Sequence, residues 1–210
     1  MAHDPLFARR VILFLWGAWA LFWLISALNA KTTRRRESPG SRAAHVIPLF
    51  VGGLLIASHG APWLWPWLAA RLWPRSFAIY CVGVAVLAAG LAFSVWARVH
   101  LGRNWSGTVT IKEGHELIRS GPYAYVRHPI YTGILAAVIG TTIASGTVHA
   151  ALGLLVIAAA LLRKLRIEEA FLRQTFPQEY PVYSARTPAL IPFTRPRAPS
   201  RPGRDAAGHR

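Results

Sequence analysis

Three long stretches of this chain contain no charged residue, and that removes most folds from consideration. Residues 11–30, 77–97 and 129–162 are free of Asp, Glu, Lys and Arg, and the last run is long enough to cross a bilayer twice. A crossing needs roughly 20 apolar residues, about 17 at the least. One such run could be a buried core helix. Three of them in 210 residues leave too little polar surface for a water-soluble domain. Such domains ordinarily carry about 25% charged residues, against 15% here. The expectation is an all-α, polytopic membrane protein with about five transmembrane helices and a cytoplasmic C-terminal amphipathic helix.

The punctuation between the apolar runs sets the elements. Helices are expected over about 11–30, 45–60 and 77–97, followed by a hairpin over 129–162 that turns near Ser145-Gly146-Thr147. An amphipathic helix is expected over 163–183. Four Trp among three Pro in 61–74 read as an interfacial loop, since proline breaks a regular helix and Trp prefers headgroup depth. Arg9-Arg10 before the first run could open a signal peptide. The run is long and Trp-rich, and Lys31 and Arg34-Arg35-Arg36 follow it like a stop-transfer signal, so a retained helix is expected. Residues 1–194 read as one membrane domain and 195–210 as a disordered basic tail.

A formal charge of +16 would suit a nucleic-acid binder, but the basic residues lie between the apolar runs rather than on an aromatic-studded face. No nucleic-acid partner is expected. Of the 24 Lys and Arg, twenty fall on the side of the loop after the first helix; Arg9, Arg10, Arg71 and Arg75 fall on the other. By the positive-inside rule the richer side is cytoplasmic, which points to an inner, cytoplasmic membrane. The single Cys81 sits in an apolar run and reads as packing. His45, His59 and His149 read as structural, and the eight His lack metal-ligand spacing, so no metal is expected.

The chemistry concentrates in residues 101–133, LGRNWSGTVTIKEGHELIRSGPYAYVRHPIYTG. Gly121-Pro122 forces a turn, and Pro129 suits the first turn of the next helix, where its missing N–H costs nothing. His128 then stands at a helix mouth whose free N–H groups attract an anion, with Arg127 beside it. Beyond the hairpin come Glu168-Glu169, bordering the apolar positions Leu165, Leu172 and Phe176. A carboxylate so placed needs a partner: the basic cluster at 163–166, or a cationic ligand.

Arg127-His128-Pro129-Ile130-Tyr131, an apolar hairpin and then Glu168-Glu169 resemble the isoprenylcysteine carboxyl methyltransferase family, relatives of the phospholipid methyltransferases. His115-Glu116-Leu117-Ile118, Gly121-Pro122-Tyr123 and 176–180 with Tyr183 extend the likeness over about 101–193. Pro177 departs from it, where the family usually has Gly. The resemblance implies a membrane methyltransferase that uses S-adenosylmethionine and acts on a lipophilic acceptor, a carboxylate or thiol of a prenylated or lipid-like molecule. It implies a cofactor site of His115, Glu116, Leu117, Ile118, Tyr123, His128, Pro129, Ile130, Tyr131, Glu168 and Glu169. Arg127, Glu168 and Lys164 are implied on the catalytic side, with Arg166 an alternative to Lys164 for holding an anionic acceptor. Tyr125 reads equally well as an interfacial anchor. A membrane reductase using NADPH, of the related sterol reductase type, is the competing reading.

Overall fold

A computed structural model describes residues 5–28, 33–36, 38–58, 65–102, 110–112 and 117–194. Its helices are α1 Pro5–Ala27, α2 Pro39–Ala57, α3 Phe77–Leu101, α4 Pro129–Ser145, α5 Val148–Thr175 and α6 Glu179–Arg186. Strands β1 Thr33–Arg36 and β2 Thr110–Lys112 pair antiparallel, tying the segment after α1 to the one after α3. Helices α1, α2, α3 and α5 are long and apolar enough to cross a membrane; α4, at 17 residues, is shorter. Many of their large apolar side chains point outward: Phe14, Leu24, Phe50 and Leu155 are each at least 65% exposed. In water that would be ruinous, and in hydrocarbon it costs nothing.

Small residues do the packing between helices. Gly83 and Gly90 of α3 face Gly140 and Gly133 of α4, so closely that a Cβ on Gly140 would sit 2.3 Å from the backbone nitrogen of Leu87. Seven-residue spacing on both antiparallel helices repeats the contact two turns later. Where lipid removes the hydrophobic drive, such backbone approach is what joins helices. Gly52 of α2 and Gly153 of α5 meet in the same way. Two tight pairs result, α3–α4 and α2–α5, connected by the α4–α5 turn, where Gly146 takes φ 61°.

Helix α1 lies parallel to α3. Its Trp16 and Trp19 donate Nε1–H to Thr141 Oγ1 (3.1 Å) and Ser94 Oγ (2.8 Å), so each indole finds a partner away from water. The alternating directions bring the C-terminal ends of α1, α3 and α5 and the N-terminal ends of α2 and α4 to one end of the bundle.

Several expectations shift. Helix α5 continues without a break to Thr175, and the single amphipathic helix expected over 163–183 is divided at Phe176–Gln178, with Pro177, before the short α6. Nothing between Leu162 and Thr175 breaks a helix, and long Lys and Arg stems carry their charges out to water. Cys81 is exposed on the outside of α3 rather than packed. His45 and His149 are buried structural residues as expected, with His149 Nδ1 2.9 Å from the Leu55 carbonyl. His59, residues 61–64 of the expected interfacial loop and the tail 195–210 all lie outside the described residues.

Candidate active site

The site begins with the approach to α4. Gly121 takes φ 59°, and a Cβ there would stand 2.6 Å from the His100 ring, so the turn needs glycine on both counts. It opens a short 3₁₀ turn, Gly121–Ala124, that buries Pro122 and Tyr123. The next residues run alongside the C-terminal segment that follows α6. Arg127 and His128 donate their backbone N–H to the carbonyls of Pro188 (2.8 Å) and Ala189 (3.0 Å), and Thr132 Oγ1 donates to Leu190 O at 2.7 Å. Tyr183 of α6 closes the same seam, its hydroxyl donating to the Tyr123 carbonyl at 2.6 Å.

Across from this strap lies the acidic pair of α5, and its two members have different surroundings. Glu169 is buried and saturated. Its Oε1 accepts from Arg127 Nε (2.9 Å) and Nη2 (2.5 Å), and its Oε2 from Arg173 Nη2 (2.9 Å), with His128 Nε2 at 3.4 Å. Arg127 spends its remaining nitrogen on the carbonyls of Ser184 (3.1 Å) and Thr187 (2.5 Å). Charge-assisted bonds of this kind are the strong ones, and together they rivet α4, α5 and the segment after α6.

Glu168, more open at 23% side-chain exposure against 9% for Glu169, faces functional groups of a different kind. The Tyr131 hydroxyl donates to its Oε1. His128 Nδ1 lies 3.7 Å from Oε2, and Lys164 Nζ lies 3.9 Å from Oε1, one helical turn back. The rings of His128 and Tyr131 are parallel within 1° at 5.6 Å, and Lys164 Nζ sits 5.4 Å above the Tyr131 ring. A carboxylate, an ammonium, an imidazole and an aromatic face therefore surround one point at the mouth of α4.

Burial pulls the His128 imidazole toward its neutral form, but hydrogen bonds and charge from Glu168 and Glu169 outweigh it and raise its pKa above the ordinary value. Burial pushes the Tyr123 phenol upward, and the Glu168 charge adds to this while Arg98 opposes it. Tyr183 is pushed up to about 12, burial being the main cause. Both tyrosines remain neutral phenols at physiological pH.

Of the residues expected in the site, Tyr123, Arg127, His128, Pro129, Ile130, Tyr131, Lys164, Glu168 and Glu169 come together here. Leu117 and Ile118 are half-buried just before Arg119, which pairs with Glu179 of α6 at 3.2 Å. His115 and Glu116 lie outside the described residues. Tyr125 is exposed, consistent with an interfacial anchor. Sequence reasoning missed Arg173 and the 187–190 strap. Arg173 stands at i+4 from Glu169, a spacing that signals pairing. Pro188 and Pro192, bracketing an apolar run, were the available sign of an extended segment. Among the described residues no group of His, Cys, Asp and Glu is arranged to hold a metal.

Residues 81–174 match the model of the isoprenylcysteine carboxyl methyltransferase family. A protein-S-isoprenylcysteine O-methyltransferase B of Arabidopsis thaliana is 28% identical over 131 residues, covering 61% of this chain and 64% of the relative. The cobalt-zinc-cadmium resistance protein CzcN of Cupriavidus metallidurans is 29% identical over 149 residues, covering 70% of this chain and 61% of the relative. The chain thus spans somewhat under two thirds of the length of each. The solved structure of a eukaryotic intramembrane Ras methyltransferase superposes with a TM-score of 0.56 at 22% identity, covering 87% of this chain and 68% of that one, and so shares the fold.

Proposed function

We propose that the chain is a member of the isoprenylcysteine carboxyl methyltransferase family, whose model it matches over residues 81–174, and on that footing a membrane methyltransferase with S-adenosylmethionine as donor and a lipophilic acid or thiol as acceptor. The observation that carries the proposal is the contrast within the acidic pair. Glu169 is consumed by structural partners, while Glu168 stands beside Tyr131, His128 and Lys164 at the membrane-end mouth of α4.

This donor set fits the cofactor, which carries an ammonium, a carboxylate, a sulfonium and an adenine ring. Glu168 suits the ammonium. His128, with the N–H groups at the start of α4, suits the carboxylate. The face of Tyr131 suits the sulfonium or the adenine, an attraction of about 0.5–2 kcal/mol. When bound, the sulfonium supplies a methyl group to the acceptor's oxygen or sulfur and leaves as a neutral thioether. An acceptor already ionised needs no general base, so the chain's own contribution is alignment and exclusion of water. Arg127, expected from the sequence on the catalytic side, is assigned here to positioning, because Glu169 and two carbonyls occupy its guanidinium. Lys164, beside Glu168 and over the Tyr131 ring, is the cation at the mouth suited to hold an anionic acceptor.

The outward-facing apolar side chains of the helices favour an acceptor that reaches the mouth through the bilayer, and the plant relative's name favours an oxygen as the methylated atom. Twenty of the 24 basic residues lie toward the site end in sequence, which supports a site facing the cytoplasm. These relatives give the reductase alternative no support. Binding of labelled S-adenosylmethionine by the purified protein is the direct test. Glu168→Ala and His128→Ala should each weaken it, and unchanged affinity in both would refute the assignment. Membrane extracts incubated with the labelled donor would then identify the methylated product.

A further inference from the structure

At the end of the bundle opposite the site, a cavity of about 1060 Å³ opens between α1, α2, α4 and α5. Its bore is apolar, lined by Leu13, Trp16, Leu49, Ile56, Ile157 and Leu161, and its mouth is bordered by Arg9, Arg71 and Arg75. It runs from the level of Thr147 to that of Leu161, about 21 Å along α5 at 1.5 Å per residue. That exceeds the depth of one leaflet, roughly half of the 30 Å hydrocarbon core. The bore does not continue into the site. Tyr131 and Leu165 pack with Leu161, and neither they nor Lys164 belong to its walls.

The rim is built and cationic. Residues 70–72 are pinned to the α4–α5 turn, with Leu72 N–H donating to Gly146 O at 2.8 Å and Val148 N–H to Ala70 O at 3.0 Å. Trp73 Nε1–H donates to Ile143 O (3.2 Å), and Arg71 Nε–H donates to Trp73 O (3.2 Å), leaving its terminal nitrogens at the mouth. Among the described residues this end carries no Asp or Glu; Glu168, Glu169 and Glu179 all lie at the other. Burial and the neighbouring Arg75 both lower the Arg71 pKa, as expected for cations gathered without a counter-charge among the described residues. These arginines also run against the positive-inside distribution of the rest of the chain.

We propose that this cavity holds one anionic phospholipid of the leaflet opposite the site, its phosphate on Arg9, Arg71 and Arg75 and one acyl chain along the bore. A clustered guanidinium rim is a phosphate receptor, and an apolar bore deeper than a leaflet takes a chain where packed side chains would otherwise have to fill the space. The lipid is separate from the methyl acceptor, since the bore ends before the site.

The test uses purified full-length protein reconstituted in equimolar phosphatidylcholine and phosphatidylglycerol with matched acyl chains, then analysed by native mass spectrometry for retained lipid. The wild-type protein should retain phosphatidylglycerol preferentially and melt at a higher temperature when it is present. Losing charge-assisted contacts in Arg71→Gln/Arg75→Gln should reduce retention about tenfold or more. Gly53 lines the bore, and a Cβ there meets nothing within 4 Å. Gly53→Phe should therefore obstruct the bore without disturbing helix packing, lowering retention with the rim intact. Circular dichroism and elution volume check that both variants are folded. Equal retention of the two lipids, or retention unaltered by Gly53→Phe, would overturn the proposal. So would displacement of the lipid by a prenylated cysteine, which would make the cavity the acceptor's channel.

Discussion

Arg127 and Glu169 meet twice: Nε and Nη2 of the guanidinium both donate to Oε1 of the carboxylate, at 2.9 and 2.5 Å. Forty-two residues separate them in sequence, and both side chains are about nine-tenths buried, at 11% and 9% exposure. The pair fixes where α5 ends relative to where α4 begins, and its neighbour Glu168 inherits that position.

The two glutamates should separate under substitution. Glu169→Gln strands Arg127 without its counter-charge and should cost about 3–5 kcal/mol of stability, read as a large drop in melting temperature in detergent. Glu168→Gln should lower melting less than Glu169→Gln does and weaken S-adenosylmethionine binding by about 10- to 100-fold, the loss of one bond to a charged group. Titration calorimetry on the two variants distinguishes these outcomes. The reverse pattern would transfer the cofactor role to Glu169.

Two tyrosines of α6 should also differ. The Tyr183 hydroxyl serves the buried Tyr123 carbonyl, whereas the buried Tyr180 hydroxyl has no partner at hydrogen-bond distance among the described residues. Tyr183→Phe should cost about 1–3 kcal/mol by orphaning that carbonyl, and Tyr180→Phe should be close to neutral. Chemical denaturation of the reconstituted protein measures both.

The glycine contacts of α3 and α4 predict intolerance to a single methyl group. Gly140→Ala drives a Cβ into the α3 backbone at Leu87, which cannot yield as a flexible side-chain tip would. A loss of at least about 1–3 kcal/mol is expected. Gly53→Ala, with open space around its Cβ, should melt with the wild type.

His128 should make stability fall as the solution becomes alkaline. Its folded pKa stands above the ordinary 6.5 because two carboxylates hold the imidazolium against burial. The stabilisation is complete below about pH 6.5 and is lost as pH rises through the raised folded value. Melting temperatures from mildly acidic to alkaline pH should decline in the wild type, with a flatter profile in His128→Asn. A flat wild-type profile would contradict this.

The sequence disclosed most of what depends on local pattern. The charge-free runs located the helices, Pro129 marked the first turn of α4, and Gly146 marked the α4–α5 turn. The site was legible as two separated motifs because each is short and contiguous. The different parts played by Glu168 and Glu169 were not legible: adjacent residues on a helix point about 100° apart, and only the placement of Arg127 decides which one is saturated. The 187–190 strap escaped notice for a related reason. Its bonds to Arg127, His128 and Thr132 are mostly main-chain, and main-chain partners leave no residue-type signature. The break of the last helix at Pro177 was visible in the sequence, while the unbroken passage of α5 through its basic cluster depended on side chains reaching water.

His128 and Tyr131 stand on the α3–α4 pair, whereas Lys164 and the two glutamates stand on the α2–α5 pair, so the site straddles a seam between two stiff plates. Those plates are joined by the turn at Gly146 and by the chain running from α2 to α3, both a full helix away from the site. With α4 at 17 residues, the lever arm is about 25 Å, and a splay of five degrees at the hinge widens the far end by about 2 Å. A splay there is opposed at the far end by the Arg127–Glu169 bonds, which bridge the two plates.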